Sequence, residues 1–303
     1  MNLILHHQPQ ANLTKKFMFT MLMAIIISSL GLTMPSRISA ESAKQQAGEA
    51  MAKQSGYAEV NGLNMYYEIH GGENGGTPLV LLHGAFMNAD SSFGQLLPQL
   101  AKTRTVIVIE QQGHGRTADI DRPLSYEQMA DDTAALLAQL GFEKADFFGW
   151  SMGGVTAIQI AVRHPKIVGK VAVTGANFGP IESAFTKEGY NAFKNIPDDF
   201  APPPLKDSYD KLSPKPEQWS AVVVKVREMG IAYQGVSTCE LRKIQAPFMV
   251  MTGDHDTIDL NHLVDSHRQL QKGSLAIVPN GDHFLPLTRA PLVLRWLEDF
   301  LQS

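Results

Sequence analysis

Leu79–Leu82, Thr105–Ile109, Asp146–Gly149, Val171–Thr174 and Phe248–Thr252 are short, mostly apolar runs that lead into glycine-containing turns. A strand that is apolar at successive positions has no face to offer to water. It must be covered on both sides, which is the situation of a strand inside a parallel sheet with helices on either face. Helical patterns lie between the runs. Ser125 followed by Gln128 has the form of a capping box, and Met129, Leu136, Leu137 and Leu140 then share one face until Gly141 stops the helix. Met152–Arg163 is a second predicted helix, ending near Pro165. Leu63–His70 adds an earlier strand, closed by Gly71 and Gly72. The pattern resumes late with Leu260–Gln271 as helix, Leu275–Val278 as strand and Pro291–Leu301 as a last helix. This rhythm predicts an α/β fold with a mostly parallel, doubly wound sheet. No internal repeat is present.

The rhythm fails between residues 177 and 240. Prolines cluster at Pro202, Pro203 and Pro204, and again at Pro214 and Pro216, and one helix is predicted near Glu217–Met229. This stretch reads as an insertion that caps one end of the sheet.

The N-terminal forty residues read as an address and not as part of the fold. Lys15 and Lys16 precede an apolar run from Phe17 to Met34, Pro35 ends it, and Ser39-Ala40 offers a cleavage site. Charge, apolar run and small residues in that order describe a secretory signal peptide. The expectation is export to a periplasmic or external space with no stable membrane span after cleavage. An uncleaved anchor is the alternative. Residues 41–56 are expected to be a flexible leader, with one large α/β domain over 57–303. A net charge of −4 gives no basic footprint, so nucleic acid is not an expected partner. The single cysteine, Cys239, excludes an internal disulfide framework.

The chemistry concentrates in a few turns. Gly149-Trp150-Ser151-Met152-Gly153 fits the G-x-S-x-G nucleophile elbow, and it stands where the elbow requires, between a predicted strand and a predicted helix. A serine hydroxyl needs a base at neutral pH. His283, just after the last predicted strand, is the first choice, and His114 a weaker one. His255, His262 and His267 lack metal-ligand spacing and are expected at the surface. No metal and no cofactor are expected. The base in turn needs a carboxylate to hold its tautomer. Asp254 and Asp256 both qualify, with Asp259 behind them. A developing oxyanion needs backbone N–H donors already in place. Met152 supplies one, and Ala85, in His83-Gly84-Ala85, the other, with Phe86 as substitute. His83 itself reads as structural.

The chain resembles the α/β-hydrolase superfamily from about Leu63 to Leu301. The matching pieces are HGA at 83–85, QQGHGRT at 111–117, GWSMGG at 149–154, GDHD at 253–256 and GDHF at 281–284. The resemblance implies a triad in the order Ser151, Asp256, His283, and its G-x-x-D turn favours Asp256 over Asp254. Glu110 departs from the aspartate common among relatives and reads as structural. The implied activity is hydrolysis of a small carboxylic ester or lactone by a serine hydrolase. A proline-iminopeptidase-like peptidase, a cofactor-free haloperoxidase or perhydrolase, and a non-catalytic binding protein on the same scaffold are the alternatives. Phe86, Trp150, Phe178 and Trp219 are the expected substrate contacts, with Phe185, Phe193 and Tyr233 as further aromatic candidates.

Overall fold

The computed structural model describes residues 54–303. The predicted signal segment and residues 41–53 of the predicted leader lie outside the described residues. Residues 54–56 were expected to belong to that leader, but they are strand. Strand β1 (Gln54–Val60) pairs along its whole length with β2 (Leu63–His70) across the Asn61-Gly62 hairpin. Tyr57 stacks edge-on against Tyr66, which helps to fix that register.

Six further strands follow: β3 (Leu79–Leu82), β4 (Val106–Ile109), β5 (Ala145–Trp150), β6 (Val168–Thr174), β7 (Phe248–Gly253) and β8 (Gly273–Val278). The sheet order is β1-β2-β4-β3-β5-β6-β7-β8, and β2 pairs antiparallel with both β1 and β4 while all other neighbours are parallel. The apolar runs are buried for the reason their composition suggests. Val80 and Leu82, Ile107 and Ile109, and Phe147 face one core cluster. Leu79 and Leu81, Val106 and Val108, and Phe148 face the other. Alternate residues of one strand thus serve both faces of the sheet.

Local signals place the helices. Ser125 caps the helix Tyr126–Gln139 by accepting the Gln128 N–H, but the Gln128 side chain turns to Asp132 and does not close the predicted box. Gly141, at a φ of +80°, ends this helix. Its N–H reaches the Ala138 carbonyl and the Phe142 N–H reaches that of Leu137. The helix Met152–Arg163 follows β5 directly.

The insertion is more regular than its prolines suggest. It contains helices Ile181–Ala184, Lys187–Lys194, Pro203–Leu212, Trp219–Ala232 and Thr238–Leu241. Pro203 and Pro204 begin the third of these. The first turn of a helix has no use for the missing N–H, and the fixed φ of proline suits it. Lys225 ties the insertion down: its Nζ reaches Asp119 Oδ2 at 2.6 Å and the Ile120 and Arg122 carbonyls at 2.8 and 3.0 Å. No helix among the described residues is long and apolar enough to cross a membrane.

Candidate active site

The strand order places the site. From β3 the chain proceeds outward to β4, then returns to the other side of β3 as β5. Loops leaving two neighbouring strands in opposite directions open a crevice at their C-terminal ends, where open α/β sheets bind ligands. Leu82, the last residue of β3, pairs with Gly149 of β5, so the turn after β3 lies beside the elbow.

Ser151 forms that elbow at φ +54° and ψ −118°. A non-glycine residue held there costs roughly 1–3 kcal/mol, which the surrounding packing must offset. The flanking glycines permit it. A Cβ on Gly149 would strike the backbone of Gly153, and one on Gly153 would strike the Leu82 carbonyl. The first amides of the helix starting at Met152 have no acceptor within the helix and lie at its positive end.

β7 and β8 bring the other two groups. They are paired to their last residues, Gly253 with Val278, so the following loops leave side by side. The His255 N–H donates to the Gly281 carbonyl and the Gly281 N–H to Asp254 Oδ1, which joins the two loops. Asp254 therefore braces the histidine loop, and it is exposed. Asp256 is buried, with Oδ1 2.8 Å from His283 Nδ1. His283 Nε2 lies 3.0 Å from Ser151 Oγ. The three residues form one hydrogen-bonded line. Burial opposes the charge on Asp256, but the imidazole and the Ile258 and Thr257 contacts hold its carboxyl below the usual range. Burial likewise opposes the imidazolium of His283, and the Asp256 carboxylate raises its pKa above the ordinary value.

Two residues position His283 in ways that were not read from the sequence. Gly175, at φ +58°, stands against the imidazole ring: a Cβ there would lie 2.9 Å from Cε1. Trp150 donates from Nε1 to the His283 carbonyl at 2.8 Å. Trp150 was expected to touch substrate. It is 1% exposed and acts as a strut behind the histidine loop. Phe178 also moves from the expected pocket into the core, where it packs on Phe248 and donates its backbone N–H to His262 Nε2. His262 was expected at the surface. It is half-buried, and burial lowers its pKa.

Gly84 to Met87 form the turn after β3, closed by a Met87 N–H bond to the Gly84 carbonyl at 3.3 Å. Phe86 occupies its third position at φ +65°, where a turn of this kind usually takes glycine. Its ring packs against Phe200 and Trp219 at centroid separations of 5.6 and 5.8 Å. Phe185 and Phe193 pair with each other inside the insertion, and Tyr233 packs on Tyr126.

His83 and His114 are buried beside one another, ring centroids 5.0 Å apart. His83 Nδ1 donates to the Gly84 carbonyl, and Nε2 accepts the Gln111 N–H. Burial lowers its pKa to about 3 and that of His114 to about 4. Glu110 is buried beneath the same turn, where it accepts from the Ala89 and Arg116 backbone N–H groups and pairs with the Arg116 guanidinium. Among the described residues, no group of three or more His, Cys, Asp or Glu is arranged to hold a metal ion. At the opposite edge of the sheet, a cleft of about 350 Å³ is lined by Arg104, Lys144, Asp146 and Lys170. It contains neither a histidine nor a serine.

Residues 79–295, well over half of the chain, match the family described as "Alpha/beta hydrolase family". The chain belongs to the α/β-hydrolase family. Among characterised relatives, "Serine hydrolase BPHL" of Mus musculus is 29% identical over 279 residues, covering 88% of this hydrolase and 93% of that protein. Two solved structures share the fold. The meta-cleavage product hydrolase of Pseudomonas fluorescens IP01 superposes with a TM-score of 0.68 at 18% identity, over 82% of this chain and 97% of that one. The enol-lactonase of Burkholderia xenovorans LB400 gives 0.65 at 21% identity, over 82% and 100%.

Proposed function

We propose that this α/β-hydrolase cleaves a carboxylic ester or a lactone through an acyl-enzyme on Ser151. The observation that carries the proposal is the unbroken line Ser151 Oγ, His283, Asp256, with contacts of 3.0 and 2.8 Å. Ser151 Oγ–H donates to His283 Nε2, and His283 Nδ1–H donates to Asp256 Oδ1. As Oγ attacks the substrate carbonyl, the imidazole takes its proton, and the carboxylate stabilises the imidazolium that forms. The carbonyl oxygen becomes negative. The Met152 amide, at the head of its helix, and the Ala85 amide, in the turn beside the elbow, are the donors assigned to it. His283 then protonates the departing alkoxide and activates the water that releases the acid. In a lactone the alkoxide stays tethered to the acyl group, and the steps are the same. Relatives named as a serine hydrolase and an enol-lactonase support this reading.

A fluorophosphonate probe tests it. Intact mass should show one adduct, on Ser151, and the labelled protein should lose hydrolysis across a panel of acyl esters and lactones. A protein that neither labels nor turns over any member of the panel is not this enzyme.

The same reading includes export. The order of Lys15-Lys16, the Phe17–Met34 run and Ser39-Ala40 supports removal of residues 1–40. Mass analysis of the protein from the envelope fraction should find a start near Glu41, and a full-length product that resists alkaline extraction would mean an anchor.

A further inference from the structure

Phe86 combines two features that ordinarily exclude each other. It is a bulky residue at φ +65°, and it sits in a turn that a single 3.3 Å backbone bond closes. His83 Nδ1 also donates to the Gly84 carbonyl at 2.9 Å, but neither bond reaches Phe86, whose unfavourable conformation needs a restraint on its own side chain. It comes from the insertion. The Phe86 ring lies against Phe200 and Trp219. Those two are locked together, since Trp219 Nε1 donates to the Phe200 carbonyl at 2.8 Å, and Tyr209 packs on the indole at a centroid separation of 5.0 Å. A second tether lies two residues on: Asn88 donates from Nδ2 to Ser208 Oγ at 2.8 Å while capping the helix Ala89–Phe93. Ser208 belongs to the same insertion helix as Tyr209.

We infer that Phe86 is a positioning residue: the grip of Phe200 and Trp219 on its ring holds the Gly84–Met87 turn so that the Ala85 amide meets the oxyanion. The inference rests on the ester or lactone hydrolase reading above. It makes the insertion part of the rate-setting machinery, beyond any role in choosing substrate. An oxyanion donor acts mainly on the transition state, so misplacing it lowers kcat and leaves ground-state binding nearly intact.

The test uses the whole mature enzyme with a short acyl ester that is too small to depend on an extended pocket. Phe86→Gly keeps the left-handed backbone and removes the ring. Phe86→Leu and Trp219→Leu keep apolar bulk and weaken the grip. Each should lower kcat by about tenfold to a hundredfold, as small misplacements in catalytic sites do, with KM changed by less than about twofold. Inhibition by a simple alkylboronic acid, which forms a tetrahedral adduct on the serine, should weaken by the same factor as kcat. The midpoint of the pH–rate profile should not move. The Phe86→Leu/Trp219→Leu double variant should lose little more than the worse single one, because both changes break one contact. A rise in KM at constant kcat would mean that the aromatics only line the pocket. Additive losses, or no loss at all, would also overturn the inference. Fluorophosphonate labelling separates the two levels. A parent enzyme that does not label defeats the hydrolase reading and this inference with it, whereas a labelled, active parent with unaffected variants defeats the inference alone. Should Phe86→Gly fail to fold, the two leucine variants decide.

Discussion

His283 and the His83–His114 pair leave the same edge of the sheet, in the loops that follow β8, β3 and β4, and they meet opposite electrostatic surroundings. At His283 a buried carboxylate lies 2.8 Å from Nδ1, and the pKa rises despite burial. At His83 the partners are a carbonyl and an amide, and at His114 a carbonyl; burial drives both pKa values down, to about 3 and about 4, at His114 against the opposing pull of the Asp119 charge. A charged neighbour favours the protonated form of the first imidazole, as the role proposed for it requires. The other two have no carboxylate bonded to the ring, and burial keeps them neutral as fixed parts of the turns they brace. Position after a strand is thus a weak guide to a catalytic histidine, and the partner of its second nitrogen is a strong one.

The triad side of this comparison breaks most visibly under mutation. Ser151→Ala and His283→Ala should each reduce kcat by roughly six orders of magnitude, with the double variant scarcely worse, as in triads that act as one unit. Asp256→Asn should cost about four orders by presenting the wrong hydrogen-bonding partner to Nδ1. Asp254→Asn keeps an oxygen to accept the Gly281 N–H and removes only the charge of that brace, so kcat should change by a few fold at most. Steady-state kinetics on purified protein, with melting curves to confirm folding, read the series. Equal losses at Asp254 and Asp256 would erase the distinction between acid and brace.

The smaller test follows pH. His283 must be neutral to accept a proton, so kcat/KM should rise with pH through a midpoint above the ordinary histidine value of about 6.5. The sign for stability differs between the two regions. The raised pKa of His283 contributes stability that is full below about 6.5 and is lost as pH rises through the folded value. The depressed values of His83 and His114 contribute stability present above about 6.5 and lost on acidification toward about 4 and about 3. His114→Gln should therefore flatten the fall of Tm between pH 6.5 and 4 while leaving the midpoint of kcat/KM in place. A moved midpoint would show that the two regions titrate together.

The sequence expectations divide along the same physical line. Strands β2 and β3 and the helix Met152–Arg163 have their predicted ends because their signals are local: an apolar run, a glycine, a proline. The helix Pro203–Leu212 was not expected, because three prolines suggest a break unless their place in the first turn is known. Gln128 was expected to close a capping box, but its side chain had a carboxylate partner, Asp132, in the next turn. Trp150, Phe178 and Trp219 are indistinguishable as pocket candidates in a one-dimensional reading. Only their neighbours sort them into a strut for His283, a core residue on Phe248 and a clamp on Phe86.

By itself, the sequence determined the sheet, the elbow and the identities of Ser151 and His283 as a candidate pair, because backbone geometry and short-range patterning leave few alternatives for them. Tertiary structure decided which carboxylate faces His283, why Gly175 must lack a side chain, and how the insertion grips the turn at Phe86. Those contacts join residues from 27 to more than a hundred positions apart. Their free energy depends on angles and distances that no local run of residues encodes.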